Sequence, residues 1–422
     1  MNHSALAWQK EICLNGFAGE RPHVPADFHT LEQEARRKMA AKAFAYVVGG
    51  AGTEQTMRNN VDAFSRYRIV PRMLVNVGER NTSRTLFGHN LPSPFLLAPV
   101  GVLSLAHGEA DLAVARAAST LGLPFIFSNQ ASYSMEDCAR VMGDGPRWFQ
   151  LYWSKSNRLV QSFLRRAERC GCSAIVVTLD TTMLGWRPRD LNLGYLPFLE
   201  GLGIAQYVSD PVFQEMLDEV DESVPVKRRV TLSSIRGLLQ MVRNYPGGSL
   251  LTKLRSGKAV RAVQKFIATY SNPATTWQDL EWLRSETRLP IILKGILHAD
   301  DAQQAINAGV DGIIVSNHGG RQVDGAVASL DALHDVVSVV NKQIPVLFDS
   351  GIRGGADAFK AIALGATAVC VGRPYVYGLA IDGEPGVYAL MRHYMAEFEL
   401  TMGLAGASHV NEISRSCIQR VV

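Results

Sequence analysis

A histidine and an arginine stand three positions apart directly after a run of apolar residues, in the stretch IIVSNHGGRQVDG (residues 313–325). Histidine titrates near neutral pH and can accept a proton, while an arginine guanidinium can bind a carboxylate through two parallel hydrogen bonds. A lone histidine in a loop is more often structural than catalytic, but His318 and Arg321 are close enough to share one small ligand. The pair therefore predicts a catalytic base beside an anion-binding arginine.

The apolar run before His318 is one of eight that follow each other along the chain. They occupy residues 95–101, 124–130, 147–153, 174–180, 290–296, 312–317, 345–351 and 368–374. Their hydrophobicity is continuous rather than alternating, which indicates burial on both faces, as in a parallel sheet. Most of the intervals have helical spacing, as in residues 109–122 and 355–366. Eight strand–helix units predict an α/β fold, a (β/α)₈ TIM barrel. The absence of G-x-G-x-x-G after the first strand argues against a doubly wound open sheet.

Two parts of the chain do not follow this alternation. Residues 1–90 predict a helical and irregular N-terminal extension packed on the barrel, which then comprises residues 91–422. After the fourth strand the alternation fails over residues 191–275, which is far longer than an ordinary loop. Insertions of this length are usually functional lids or disordered segments.

In a TIM barrel the carboxyl ends of the strands meet at one face, where the active site is built. Each of the eight ends carries glycine or polar residues, so we expect a lined pocket there. Loops seven and eight, DSGIRGG and VGRP, offer glycine amides and two arginines for a phosphate. The strand-end residues are Gly101, Ser128, Gln150, Tyr152, Thr178, Asp180, Lys294, Ser316, Asp349, Arg353, Gly372 and Arg373.

Composition narrows the classes of protein. The 422 residues carry a formal net charge of only +4, and no nucleic-acid-binding motif is present. None of the six cysteines forms a C-x-x-C pair, so we expect reduced thiols in a cytoplasmic protein and no metal site. We also find no secretory signal and no run of ~18 apolar residues.

At these residues the sequence resembles the FMN-dependent 2-hydroxy acid oxidase and dehydrogenase family. The segment SNHGGRQ is close to the family's signature, and the likeness continues through DSGIRGGADAFKAIALGATAVCVGRP. It covers nearly the whole chain, from AYVVGGAGTEQT near residue 46 to the last strand. Within the family, APVGVLSL and LDTTMLGWRPRDLN are most similar to the lactate 2-monooxygenases.

The resemblance implies a role for each strand-end residue. His318 takes a proton from the substrate, and Asp180 orients and stabilises it. Arg321, Arg187 and Tyr46 hold the substrate carboxylate, while Tyr152 binds its hydroxyl group. The residues implied for FMN are Gly101, which leaves room at the flavin edge, Ser128, Gln150, Thr178, Lys294 and Ser316 at the ring and ribityl chain, and Asp349, Gly351, Arg353, Gly372 and Arg373 at the ribityl chain and phosphate.

The implied reaction is oxidation of a small, anionic L-2-hydroxy acid such as lactate to the 2-keto acid. Molecular oxygen would be the acceptor and decarboxylation would be coupled to it. One alternative is an oxidase that releases keto acid and hydrogen peroxide. Another is a membrane-associated, quinone-linked dehydrogenase, for which the basic segment 226–265 would provide the contact. The resemblance also implies a homo-oligomer, either a tetramer or an octamer.

Several assignments stay open at this point. Asp180 could cap a helix together with Thr181, and Arg189 could replace Arg187 as the carboxylate clamp. Tyr46 and Tyr152 could be packing residues. Gln130 stands where an apolar or aromatic residue is expected to face the substrate side chain, which leaves the preferred acid open. The competing classes are another FMN barrel, such as a diphosphate isomerase or a dihydroorotate-type enzyme, and a flavin-binding scaffold without turnover.

Overall fold

A computed structural model describes residues 4–219 and 231–421 of the chain. Within these residues, eight parallel strands close into a barrel, and each strand pairs with its neighbours in chain order. Each strand falls inside one of the eight apolar runs, so the predicted TIM barrel is confirmed. The barrel strands are β4 (Phe95–Leu97), β5 (Phe125–Phe127), β6 (Arg147–Leu151), β7 (Ile175–Thr178), β8 (Ile291–Ile296), β9 (Gly312–Val315), β10 (Val346–Phe348) and β11 (Ala368–Val371).

The strands are buried on both faces because helices cover the outside and side chains fill the inside. Inward-facing residues such as Trp148, Ile292 and Ile314 form one apolar cluster within the barrel. A hairpin of β2 (Arg84–Leu86) and β3 (His89–Leu91) adds Leu86 and Leu91 to this cluster. The hairpin therefore packs against the barrel interior at the end opposite the strand-end residues.

The helices between the strands also match the predicted spacing. Residues 109–122 and 355–366, for example, contain helices that begin at Ala110 and Gly355. The helices around the barrel are α5 (Ala110–Leu121), α6 (Met135–Met142), α7 (Asn157–Arg169), α14 (Asp279–Glu286), α15 (Ala299–Asn307), α16 (Ser329–Val340), α17 (Gly355–Ala363) and α18 (Arg373–Leu404).

Within its described residues, the N-terminal extension contains helices and also short strands that the sequence analysis did not predict. Its helices pack on α18 and on the mouth of the barrel. The strand β1 (Tyr67–Ile69) pairs antiparallel with the final strand, β12 (Ile418–Arg420), and so joins the two ends of the chain. The helices of the extension are α1 (Ala5–Phe17), α2 (Phe28–Lys38), α3 (Ala41–Val48) and α4 (Gln55–Ser65).

The insertion between β7 and α14 is largely helical where it is described. The last three helices pack on the first part of the insertion: the first of them contacts the turn Pro197–Glu200, and the Phe266 ring of the last lies 5.1 Å from the Phe198 ring. The basic stretch VKRR (226–229) lies outside the described residues. No helix among the described residues is long and apolar enough to cross a membrane. The insertion helices are α8 (Pro188–Asn192), α9 (Ala205–Val208), α10 (Pro211–Met216), α11 (Leu232–Asn244), α12 (Leu250–Ser256) and α13 (Lys258–Thr269).

Candidate active site

A cleft opens at the carboxyl ends of the barrel strands, with about 1150 Å³ of empty space including its opening to solvent. Strand ends form its floor, α3 forms one side, and Leu184, Phe198 and Tyr270 from the region of the insertion line it as well. The structure brings most of the predicted site residues together here. Those that line the cleft are Tyr46, Gly101, Tyr152, Arg187, Lys294, His318, Arg321, Asp349, Gly351, Arg353, Gly372 and Arg373.

Four predicted flavin contacts, Ser128, Gln150, Thr178 and Ser316, are buried in the floor of the cleft. The Ser128 hydroxyl donates to Oε1 of Gln150 at 3.1 Å, and Nε2 of Gln150 donates to Oγ1 of Thr178 at 3.0 Å. Each of these three side chains is hydrogen-bonded to another of the three, so the polar groups can remain buried in the floor without a large desolvation penalty.

The centre of the site is the contact between His318 and Asp180. Nδ1 of His318 lies 2.6 Å from Oδ1 of Asp180, and Thr181 donates its hydroxyl to the same carboxylate oxygen at 2.9 Å. With Nδ1 protonated toward Asp180, Nε2 carries the lone pair of the neutral imidazole. Asp180 precedes no helix, since α8 begins only at Pro188. The geometry therefore supports the orienting role and not the helix cap.

Lys294 is the centre of a network of charged groups at the bottom of this site. Its ammonium lies 3.5 Å from Asp180 and 3.3 Å from Asp349, and it donates to Oγ of Ser316 at 2.8 Å. Burial alone would raise the pKa of Asp180, but the charges of His318 and Lys294 outweigh it and hold that pKa below its usual range. Asp180 is thus a carboxylate at neutral pH.

The same network sets the charge of His318. Burial lowers the pKa of His318, Asp180 raises it in part, and Lys294 lowers it again, so that the pKa lies below its ordinary value. At neutral pH the ring is therefore neutral and able to accept a proton. A proton received there would be stabilised by the Asp180 carboxylate.

An unusual backbone turn presents His318 to the cleft. His318, Gly319 and Gly320 are all left-handed, with φ of 58°, 63° and 73°. For a histidine this conformation is strained and needs support from its surroundings. Part of the support comes from Ser316, whose hydroxyl accepts from the His318 amide at 3.0 Å.

Further support comes from α4 in the N-terminal extension. Asn60 and Asn317 exchange two side-chain hydrogen bonds, each 2.7 Å long. Asn317 then accepts from the Gly320 amide at 3.1 Å, and Asn60 accepts from the Ser329 amide at 3.0 Å. Both asparagines are buried. They therefore clamp the strained turn between β9 and α16.

Two arginines form the anion-binding side of the cleft. Arg321 donates to the carbonyls of Tyr46 and Gly49 at 2.7 and 2.8 Å, and its guanidinium lies 5.0 Å from the Tyr46 ring centre. Nε of Arg187 donates to the Arg321 carbonyl at 3.1 Å. Burial and the charge of Arg187 lower the pKa of Arg321 to about 9. These cations are held by neutral groups, so a bound carboxylate would relieve their repulsion.

The structure also separates Arg187 from Arg189. Arg187 is 5% exposed and lines the cleft. Arg189 points away from the cleft and forms a bidentate ion pair with Glu54, with N–O distances of 2.6 and 2.7 Å. Of the two arginines in WRPR, Arg187 is therefore the one placed to bind a substrate.

The remaining walls suggest what else the cleft can hold. Tyr152 is buried, which together with the Asp180 charge raises its pKa to about 12, so its hydroxyl keeps its proton. Gly101 packs against Gln130 so closely that a Cβ at position 101 would lie 3.0 Å from Cβ of Gln130. The glycine thus makes room for Gln130, which lines the cleft beside it.

A second group of cations lies beside Arg321, since Arg373 donates to the same Gly49 carbonyl at 3.0 Å. Arg353 lies 4.2 Å over the ring of Phe28, and Arg373 donates to the Gly319 carbonyl at 2.8 Å. Gly351 has φ of 97°, and a Cβ there would come within 2.3 Å of the Asn60 carbonyl, so only glycine fits. The helix α18 begins at Arg373, and its N-terminus adds positive potential. The N-terminus of α17 is taken by Glu397, which accepts from the Gly355 amide at 2.7 Å.

This arrangement fits FMN. A phosphate would meet the cationic corner of Arg353, Arg373 and the α18 N-terminus. The apolar wall of Ala98, Pro99 and Val100 suits a planar ring, and Lys294 lies within reach as a donor. The donor set therefore agrees with the cofactor that the sequence analysis expected.

Sequence reasoning missed several residues of the site. Thr181 contacts both Asp180 and His318, and Gln322 accepts from Arg187 at 2.8 Å and donates to the Asp180 carbonyl at 2.7 Å. Both are neighbours of predicted residues, and that adjacency was the only available signal. Asn60 gave no signal, because it is 257 positions from its partner.

Fold and site together define a TIM-barrel enzyme that holds a phosphorylated cofactor beside a site for an anionic substrate. The sequence model of the FMN-dependent dehydrogenase family matches residues 35–420. The chain belongs to this family, and its cofactor is FMN.

Named relatives cover nearly the whole chain. An L-lactate oxidase of Lysinibacillus sphaericus is 42% identical over 95% of this chain and 94% of its own length. An FMN-dependent alpha-hydroxy acid dehydrogenase of Penicillium citrinum is 39% identical over 98% and 96%. Among solved structures, mandelate oxidase with (S)-4-hydroxymandelic acid superimposes with a TM-score of 0.76 at 35% identity, covering 94% of this chain and 100% of the other.

Proposed function

We propose that the protein oxidises a small L-2-hydroxy acid of the lactate type to the 2-keto acid, with molecular oxygen as acceptor. The observation that carries this proposal is the 2.6 Å contact between His318 and Asp180 in a cleft that also holds Arg187 and Arg321. A base, a stabilising carboxylate and two cations are the groups that a 2-hydroxy carboxylate requires. The names of the relatives point to the same substrate class.

In the proposed complex, Arg187 and Arg321 bind the substrate carboxylate and Tyr46 borders it. Tyr152 hydrogen-bonds the 2-hydroxy group through a phenol that keeps its proton at neutral pH. Gln130 faces the substrate side chain and favours one that is small or polar. Ser128, Gln150, Thr178, Lys294, Ser316, Asp349, Gly351, Arg353, Gly372 and Arg373 hold FMN, with Gly101 at the ring edge.

His318 then accepts a proton from the substrate, and Asp180 stabilises the imidazolium that forms. When bound, FMN would supply the two-electron acceptor for the substrate, with oxygen as the final acceptor and hydrogen peroxide as its two-electron reduction product. Lys294 keeps Asp180 ionised throughout, because its charge stays within 3.5 Å of that carboxylate. General-base catalysis of this kind contributes about 10²–10⁴-fold.

We further propose that the keto acid and the peroxide react before they leave. In that reaction the 2-keto acid and hydrogen peroxide give carbon dioxide, water and the acid shortened by one carbon. Leu184, Phe198 and Tyr270 border the cleft from the region of the insertion and support retention of both molecules. Confinement gives them a high effective concentration.

The second candidate is an oxidase that releases keto acid and peroxide. The names of several relatives favour it, among them the L-lactate oxidases of Lysinibacillus sphaericus and of a Nostoc strain. Aerobic turnover of L-lactate without catalase separates the two outcomes. Acetate and carbon dioxide are expected from the first, whereas stoichiometric pyruvate and free peroxide would establish the second.

The 2-hydroxy acid activity itself is tested by the visible spectrum of the purified holoenzyme. We expect a flavin spectrum that bleaches under anaerobic conditions when L-lactate is added, and recovers with oxygen. A panel of L-2-hydroxy acids with apolar and polar side chains would then rank the substrates. A flavin that no member of the panel reduces would refute the proposed reaction.

A further inference from the structure

One stretch of the insertion contains basic residues but no acidic ones. Residues 231–278 contain seven lysines and arginines and no aspartate or glutamate, although the whole chain has nearly balanced totals of 43 and 39. The seven are Arg236, Arg243, Lys253, Arg255, Lys258, Arg261 and Lys265. Five of them, Arg236, Arg243, Arg255, Lys258 and Arg261, form no ion pair with any carboxylate in residues 4–219 and 231–421.

The same stretch exposes large apolar side chains. On α11, Leu232 and Ile235 are 78% and 46% exposed, and they lie on one face because they are three positions apart. On α12, Leu251 and Leu254 are 68% and 37% exposed, and no residue of this helix is buried. We call the exposed faces of α11 and α12 the basic apolar surface.

The basic apolar surface is attached firmly to the rest of the protein. Met241 and Val242 of α11 are buried, and Asn244 donates to the Glu200 carbonyl at 2.7 Å. Lys253 donates to the Tyr245 carbonyl and so joins α12 to the end of α11. The exposure of the leucines is therefore a feature of a packed helix pair.

Helical geometry places cations beside the exposed apolar residues. Arg236 and Arg243 are seven positions apart and share the outward side of α11 with Leu232. Arg255 directly follows Leu254 on α12. An apolar stripe bordered by cations is the arrangement by which helices lie in the interface of an anionic bilayer, with the apolar side chains among the acyl chains and the cations at the headgroups.

We propose that the basic apolar surface docks the protein on anionic lipid bilayers as a peripheral membrane protein. A second copy of the same surface would bring cations against cations with no carboxylate to pair them, which disfavours a symmetric contact. Nucleic acid would satisfy the charges but would leave the leucines in water. An anionic bilayer satisfies both.

The test is flotation of the FMN-loaded protein with vesicles of neutral phosphatidylcholine, with or without phosphatidylglycerol. We expect flotation only with the anionic vesicles and release by high salt. The double variant Arg236→Glu/Arg243→Glu should partition at least about 25-fold more weakly, since each basic residue contributes about fivefold. The double variant Leu232→Ser/Ile235→Ser should also weaken binding.

A matched control reverses two exposed arginines elsewhere, Arg165→Glu/Arg288→Glu, and should float like the unaltered protein. Far-UV circular dichroism establishes that each variant is folded. Failure to bind anionic vesicles, or equal loss in the control variant, would overturn the proposal. Light scattering adds a further check, because a change of subunit number in Arg236→Glu/Arg243→Glu would mark the surface as a contact between copies of the chain and refute lipid docking.

Discussion

The mouth of the barrel and the basic apolar surface both carry several cations, but the two regions differ in how far these cations are buried and paired with carboxylates. At the mouth, Lys294 is buried and lies within 3.5 Å of two carboxylates. On the surface, Arg236 and Arg243 are exposed and form no ion pair with the described residues. Burial forces each charge at the mouth into a fixed geometry. The exposed charges are free to meet a partner of variable shape.

The largest effect on the reaction is expected from substitution of His318, the proposed catalytic base at the mouth of the barrel. His318→Gln keeps a polar side chain of similar size but removes the proton acceptor, so we expect anaerobic flavin reduction to slow by about 10²–10⁴-fold. Stopped-flow absorbance with L-lactate measures this rate. His334→Gln, on the exposed face of α16, is the matched control and should reduce at the normal rate. An unchanged rate in His318→Gln would remove His318 from the mechanism.

Lys294 and Arg236 compare the two regions directly. Lys294→Met leaves Asp180 and Asp349 buried without their cation, so we expect the free energy of unfolding to fall by about 3–5 kcal/mol. Arg236→Met should change it by less than about 0.5 kcal/mol, because nothing in the described structure pairs with it. Urea unfolding of both holoenzymes measures the difference. Equal losses would mean that the contrast between the regions is wrong.

Arg187 and Arg189 offer a comparison two residues apart. Arg187→Met should reduce kcat/KM for L-lactate by about 10²–10³-fold, because it removes a charge-assisted contact to the carboxylate from a buried site. Arg189→Met loses only an ion pair at the protein surface and should stay near the normal value. Steady-state kinetics of both variants decide the assignment. If Arg189→Met is the weaker enzyme, the carboxylate clamp has been placed on the wrong arginine.

Asp180→Asn should move the pH profile as well as the rate. Burial lowers the pKa of His318 and the Asp180 carboxylate partly restores it. Removing that charge lowers the pKa of His318 further, so the acidic limb of kcat/KM should shift to lower pH. The maximum rate should fall by about 10–150-fold, since a charge-assisted hydrogen bond contributes about 1.5–3 kcal/mol. A limb that shifts to higher pH would contradict the network described here.

The smallest effect concerns the clamp on the strained turn. Asn60→Ala leaves Asn317 and the Ser329 amide without their partner, which should cost about 1–3 kcal/mol of stability. Asn59→Ala, the neighbour on α4, makes no such bond and serves as control. Thermal unfolding measures the cost. The value of kcat/KM should also fall in Asn60→Ala, because the turn carries His318. A variant that loses stability but keeps its kcat/KM would show that Asn60 has only a packing role.

The barrel was predictable from sequence because each strand is buried on both faces and therefore reads as an unbroken apolar run. The lining of the cleft followed from the convergence of the strand ends. The pairing of β1 with β12 was not predictable, since three-residue strands carry little signal and their partners are more than 300 residues apart. The burial of Ser128, Gln150 and Thr178 beneath the cleft depends on side-chain hydrogen bonds that no local pattern encodes. The helices of the insertion were not predicted. The break in the strand–helix alternation shows where the barrel pattern stops, but it does not show which structure replaces that pattern.

The bond between Asn60 and Asn317 also has a consequence for how the chain is made. At about 5–20 residues per second, the ribosome needs roughly 10–50 s to add the 257 residues that separate the two asparagines. During that interval α4 has emerged but its partner turn has not been synthesised. Until the sixth strand of the barrel has been synthesised, Asn60 on α4 therefore lacks its native hydrogen-bond partner. The active site is thus among the last parts of the molecule to form, and a nascent chain that is released early has no base in place.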